Sequence, residues 1–200
     1  LENEEQLTDD EKRELVSHIR VDANWLLNMV ENLLMVTRIR NGSASVVKSL
    51  EPVEEVMSEA VYRLKKRIPD ADIRVLLPDE FMMIPMDAML IEQVLVNLME
   101  NAIYHAASSE PVECRAEAGP DSVTFYVTDQ GVGIAEDKLE TIFDGVSQTE
   151  NISADGHKGM GIGLSICKTI ITAHGGEIHA ENLERGARFS FTLLADTDAC

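Results

Sequence analysis

Two hundred residues suffice for one sizeable core, and 44% hydrophobic beside 26% charged residues marks a folded globular chain, not a disordered one. Seventeen Lys and Arg against 36 Asp and Glu leave a formal net charge of −19. Nothing in such a chain could neutralise a row of phosphates, so no nucleic-acid partner is expected, and an anionic membrane surface is disfavoured too.

Cys114, Cys167 and Cys200 are odd in number, far apart and without C-x-x-C pairing, which favours a reduced setting and no zinc site. No apolar run reaches membrane-spanning length and no signal peptide opens the chain. The first residue is Leu1 rather than Met, amid residues already helical in character, which reads as a piece of something longer.

Thr8-Asp9-Asp10-Glu11 carries the signature of a helix start, a capping hydroxyl with Glu three positions on. Leu15, Ile19, Leu26, Met29, Leu33 and Val36 then recur at spacings near three and four until Asn41-Gly42. Such a helix would span about 50 Å, too long to fold back within so small a domain. Its heptad-like stripe asks for a partner helix. His18 and Trp25 read as surface and packing residues.

Gly42-Ser43-Ala44-Ser45 predicts a hinge, and Glu51 to Ile68 a second helix with Pro52 in its first turn. Ile73 to Leu77 and Phe81 to Ile84 read as short strands, the latter ending before Pro85. A strong helix opens at Met86-Asp87 and carries Asn97 and Asn101, four apart and so on one face. Asn is a poor residue for a helix interior. The pair is either a set of polar ligands or two satisfied buried amides.

Val112 to Ala118 and the alternating Val123, Phe125 and Val127 predict two strands, the second ending in Asp129-Gln130-Gly131-Val132-Gly133-Ile134. A short helix follows over Lys138 to Phe143. Gly145 to Lys158 is polar and aperiodic, long enough for a lid. Gly159-Met160-Gly161-Ile162-Gly163-Leu164 then enters a helix running to His174 and stopping at Gly175-Gly176. Alone, that glycine stretch is either a phosphate cradle at a helix N-terminus or tight packing. Glu177 to Asn182 and Ala187 to Leu194 form the last two strands, joined by a turn at Gly186. Antiparallel hairpins with segregated helices make an α+β fold, a two-layer α/β sandwich preceded by a long helix.

Paired Asn on a helix, strand–Asp–Gly–x–Gly, and a glycine-rich helix entry occur here in that order. The sequence thereby resembles the ATP-binding domain of sensor histidine kinases, within the wider ATPase group of gyrase and Hsp90. The N-box is matched by Asn97-Leu98-Met99-Glu100-Asn101-Ala102 and the two glycine boxes by Asp129 to Ile134 and Gly159 to Leu164; His174-Gly175-Gly176-Glu177-Ile178 matches the usual exit from the following helix. The resemblance covers essentially the whole chain. Residues 1–42 resemble the second helix of the dimerisation hairpin, incomplete here, and residues 43–200 the catalytic domain.

The resemblance implies ATP and Mg²⁺ as cofactors and gives each motif a role. Asp129 would accept the adenine amine, with Gly131, Gly133 and Ile134 against the base. Asn101 would bind Mg²⁺, Asn97 would sit near the phosphates, and Gly159, Gly161, Gly163 and Leu164 would hold the triphosphate. Hydrolytic relatives carry Glu one turn before the metal Asn. Here that residue is Asn97, and Glu100 points elsewhere, so transfer is expected rather than rapid hydrolysis.

None of the five histidines has the acceptor context, so the phospho-acceptor is expected on a first dimerisation helix outside this chain. The other implied partners are a response-regulator receiver domain and a second copy in a full-length homodimer. The implied location is cytoplasmic, as part of a membrane-anchored sensor. Glu92 to Ala102 and His174 to Leu194 look most like the Kdp-type potassium-responsive sensor kinases.

Two departures stand out. Tyr104 replaces a basic residue that often reaches the phosphates, leaving His105 or Lys158 as substitutes, and no second aromatic follows Phe143. They keep open a degenerate, non-catalytic nucleotide-binding or interaction module; a gyrase-type hydrolytic ATPase is disfavoured by Asn97.

Overall fold

The computed structural model describes residues 46–78, 80–106, 108–144 and 162–195, together with Thr8 and residues 11–13, 15, 16, 18, 19, 23 and 30. The expected lid with Lys158, Gly159 and Gly161, the hinge at 42–45 and Trp25 lie outside the described residues. Near the N-terminus, the Thr8 N–H donates to Glu11 Oε2 at 2.7 Å while the Glu11 N–H donates to Thr8 Oγ1 at 3.3 Å. This is the reciprocal capping box. The described residues from Glu11 to Val30 are helical, with Leu15, Val16, Ile19 and Val30 exposed. Among the described residues no helix is long and apolar enough to cross a membrane.

The elements run β1 (Ser49–Pro52), α1 (Val53–Arg67), β2 (Ile73–Leu76), β3 (Met83–Met86), α2 (Ala88–Ala106), β4 (Val112–Ala118), β5 (Ser122–Thr128), α3 (Glu136–Leu139), α4 (Ile162–Ala173), β6 (Glu177–Asn182) and β7 (Ala187–Leu194). A five-stranded sheet has the order β2-β4-β5-β7-β6, antiparallel except for the β2–β4 pair, and β1 pairs with β3 in a separate ribbon.

Period-two patterning fixes which face of the sheet is buried. The register sets Cys114 beside Val127, Ala116 beside Phe125, and Phe125 beside Phe191, all buried. The Phe125 and Phe191 rings stack at 4.7 Å. Each such aromatic contributes about 1.5–3 kcal/mol through burial. Helices α1, α2 and α4 cover this face with Leu64, Ile91, Leu95, Leu98, Ile166 and Ile170. The opposite face carries Arg115, Glu117, Tyr126, Arg188 and Thr192, so the fold is an α+β two-layer sandwich.

Several boundaries differ from the sequence expectation, among them these. Pro52 is the N-cap of α1 and closes β1, a strand without any sequence signal of its own. β3 continues through Pro85, which faces Leu50 in a two-stranded ribbon where a missing N–H is tolerated. The short helix α3 lies at Glu136–Leu139, with turns after it. At the other end, α4 closes with Gly176 N–H to the Ile171 carbonyl and Gly175 N–H to that of Thr172, a Schellman ending.

Candidate functional site

The site gathers along α2, which packs between α1 and α4 and across β4 and β5. Asp87 caps its start, Oδ1 accepting the Leu90 N–H at 3.3 Å. Asn97 is buried, and its amide is held from two sides. Gln93 Nε2, one turn earlier, donates to Asn97 Oδ1 at 2.8 Å, and Asn97 Nδ2 donates to the Gly163 carbonyl at 3.5 Å. Asn97 thus ties α2 to the first turn of α4, where Leu164 is buried. That turn contains no acidic residue, so the helix dipole there is left for an anion.

The thiol of Cys167 lies behind Asn97, its pKa pushed up to about 12 by burial, and so is inert. Asn101 lies one turn beyond Asn97, half-buried, and no described residue bonds its amide. Glu100 turns away to α1, pairing with Arg67 at 3.1 Å. Tyr104 is largely exposed; partial desolvation of its hydroxyl and the nearby Glu100 charge raise its pKa, and it brings no positive charge to the site.

Asp129 directly follows β5, the central strand, and is buried. Its Oδ1 accepts the Gly131 N–H at 2.8 Å and the Ala187 N–H at 3.4 Å. One oxygen is therefore committed to fixing the side chain. Among the described residues Oδ2 has no donor.

The glycines around Asp129 are demanded by the protein's own backbone. A Cβ on Gly131 would stand 2.2 Å from the Ala106 carbonyl oxygen, at the end of α2. One on Gly186 would stand 2.0 Å from the Asp129 carbonyl oxygen, and Gly186 also has φ 80. The β5 turn, the end of α2 and the β6–β7 hairpin are thus packed backbone to backbone.

Ile134 completes this turn, with both its N–H and carbonyl held by the Asn182 side chain at 2.7 Å. Neither Asn182 nor Ala106 stands out in the sequence; an Asn before a hairpin and an Ala ending a helix are ordinary. Gln93 did carry a signal, since it is spaced i, i+4 to Asn97. Among the described residues no cluster of three or more His, Cys, Asp or Glu could hold a metal. A neutral amide such as Asn101 suits a hard cation that keeps waters and takes most of its ligands from phosphates.

Residues 86–197 match the histidine kinase-, DNA gyrase B-, and HSP90-like ATPase family. Sensor protein KdpD of Clostridium acetobutylicum is 40% identical over 194 residues, 96% of this chain and 22% of the relative. The catalytic domain of histidine kinase ThkA superposes with TM-score 0.62 at 29% identity, covering 74% of this chain and 95% of that one. Full-length ShkA in complex with AMPPNP gives TM-score 0.71 at 27% identity, covering 97% of this chain and 41% of that one.

The sandwich, with its N-box helix beside a strand-end aspartate, is that of an ATP-binding domain. The chain belongs to the histidine kinase-, DNA gyrase B-, and HSP90-like ATPase family. It is similar to sensor histidine kinases, the Kdp type among them, and spans about a fifth of the length of the KdpD relative, 22%.

Proposed function

We propose that this domain binds Mg-ATP and presents its γ-phosphoryl to a histidine supplied by a segment outside this chain, as the catalytic domain of a Kdp-type sensor histidine kinase. The observation that carries this reading is Asp129. A buried carboxylate, fixed through one oxygen at the end of the central strand, has its second oxygen for a ligand N–H. The adenine exocyclic amine is such a donor, and guanine has none at that position.

The other residues then take graded roles. Gly131, Gly133 and Ile134 line the base, and the N–H groups of the α4 entry, with Gly159, Gly161, Gly163 and Leu164, hold the triphosphate. Lys158 is the cation nearest that entry in sequence. Asn101 would hold Mg²⁺, which supplies charge neutralisation at the phosphates. Asn97, locked by Gln93 and Gly163, orients the α4 entry. An amide cannot take a proton from water, so transfer is favoured over hydrolysis.

The acceptor reading is supported by His174, which is buried with both ring nitrogens engaged, and by His179, which is on the open sheet face beside Glu177. The same reading makes residues 1–42 the second dimerisation helix and residues 43–200 the catalytic domain. It implies a homodimer, a receiver-domain partner and a cytoplasmic place within a membrane-anchored sensor.

Calorimetric titration with ATP and Mg²⁺ tests the reading. Saturable binding is expected, and Asp129→Asn should weaken it about 10- to 100-fold, the worth of a hydrogen bond to a charged group. Adding a helix with an acceptor histidine should yield acid-labile phosphohistidine. No binding at millimolar nucleotide sinks the reading. Binding without transfer favours the non-catalytic module, and rapid phosphate release by the chain alone favours a hydrolytic ATPase.

A further inference from the structure

We propose that Asn182 is a positioning residue for adenine recognition, holding the Asp129–Ile134 turn in its binding shape from the rung that closes the β6–β7 hairpin. The inference rests on the adenine role of Asp129 given above and assigns a residue that touches no nucleotide.

The geometry is that of a backbone surrogate. Asn182 Oδ1 accepts the Ile134 N–H at 2.7 Å, and Asn182 Nδ2 donates to the Ile134 carbonyl at 2.7 Å. A primary amide offers a coplanar donor and acceptor, so it can pair with one residue as a strand would. Ile134 belongs to no strand, and this pair supplies the ladder rung it lacks.

The opposite end of the turn is held by the same hairpin. The Asp129 N–H donates to the Ala187 carbonyl at 3.0 Å, and the Ala187 N–H donates back to Asp129 Oδ1 at 3.4 Å. Asn182 and Ala187 are register partners across β6 and β7. A single rung of the hairpin therefore grips the turn at both ends, Asp129 from Ala187 and Ile134 from Asn182. Gly133 sits between them at φ 75, and a Cβ there would stand 2.9 Å from Asn182 Oδ1. The side chain of Asn182 thus occupies the space a substituent at 133 would need.

Asn182 is itself exposed, so it contributes little apolar burial. Its contribution lies in fixing the turn, and hence where Asp129 Oδ2 points. Small displacements of a positioned group cost much of a directional hydrogen bond.

The test compares ATP with ITP, which carry an amine and a carbonyl respectively at the purine 6-position. With the full chain, wild type should bind ATP at least tenfold tighter than ITP. Asn182→Leu, which keeps the branched four-atom skeleton without polar side-chain atoms, should lose most of that preference while its ITP affinity changes little. A general loosening of the domain would weaken both nucleotides by a similar factor, and that result overturns the proposal. So does a folded Asn182→Leu that keeps the wild-type preference.

Should Asn182→Leu fail to fold, Asn182→Asp serves. It keeps the acceptor for the Ile134 N–H, loses the donor to the carbonyl, and should show a reduced preference. An unchanged preference there also refutes the proposal. Absence of any ATP-over-ITP preference in wild type would instead count against the adenine reading of Asp129.

Discussion

His174 Nε2 accepts the Asp87 backbone N–H at 3.1 Å, while its Nδ1 lies 2.8 Å from the Ile170 carbonyl. The two partners fix the neutral ring with its proton on Nδ1. Lys48 Nζ donates to the His174 carbonyl at 2.9 Å, and the Val47 N–H donates to Asp87 Oδ2 at 3.4 Å. The buried imidazole thereby joins the end of α4 to the start of α2, and the His174 carbonyl and Asp87 carboxylate tie both to the residues just before β1.

Burial holds the His174 pKa below its ordinary value; the Lys48 charge lowers it further, while the Ile170 bond and Asp87 act in the opposite sense. The unfolded chain therefore binds the proton first, and the stability contributed by neutral His174 is lost as pH falls below about 6.5. Protonation would also set an N–H against the Asp87 N–H. Urea midpoints of wild type and His174→Gln, measured from pH 7.5 to 5, should diverge in slope, wild type losing up to about 1.4 kcal/mol more per pH unit. Parallel curves would refute this role.

Gly131 meets the end of α2 so closely that Ala cannot be accommodated without moving backbone. Its Cβ would stand 2.3 Å from Ala106 Cα, and neither partner is a flexible side chain. Gly131→Ala should cost about 1–3 kcal/mol by overpacking. It should also weaken ATP binding, because the displaced N–H is one that fixes Asp129. A denaturation midpoint and a nucleotide titration on the same variant check both.

What could be read from the sequence follows from what local patterns encode. β5 and β7 alternate so regularly that the pattern alone puts Phe125, Phe189 and Phe191 on one face. The three motifs order themselves along the chain, and the family match covers residues 86–197. β1 escaped because Ser49–Pro52 is four residues with neither alternation nor turn signals, held by pairing with β3. Pro85 misled because proline is disfavoured in central strands, whereas this strand lies in a two-stranded ribbon. Asn182 and Ala106 are legible only in space, since each acts on a residue 48 or 25 positions away.

Glu92 on α2 is buried, and its Oε2 lies 3.2 Å from Arg63 Nε on α1. Burial raises its pKa, with Arg63 opposing. The folded state therefore holds the Glu92 proton more tightly, and ionised Glu92 weighs against stability at neutral pH. Arg63→Met leaves that charge uncompensated and should cost about 1–2 kcal/mol at pH 7, less than for a fully buried pair because Arg63 is partly hydrated. The loss should shrink as pH falls through the raised Glu92 pKa. Glu92→Gln should lie within about 0.5 kcal/mol of wild type, since the exposed part of Arg63 can hydrate. A cost for Glu92→Gln as large as that for Arg63→Met would contradict this balance.

Asn101 separates metal-dependent from metal-independent binding. Its amide is half-buried on the Asn97 face of α2 and no described residue bonds it. As a Mg²⁺ ligand it contributes only while the ion accompanies the nucleotide. Asn101→Ala should weaken ATP binding about tenfold or more with Mg²⁺ present, the worth of about 1.4 kcal/mol. With EDTA, wild type and variant should converge on one weaker affinity. An equal loss in both conditions would mean that Asn101 acts on the nucleotide or the helix directly rather than through the cation. The thermal midpoint without ligand should not fall in the variant, since Asn101 makes no bond within the described fold and Ala is the better residue inside a helix.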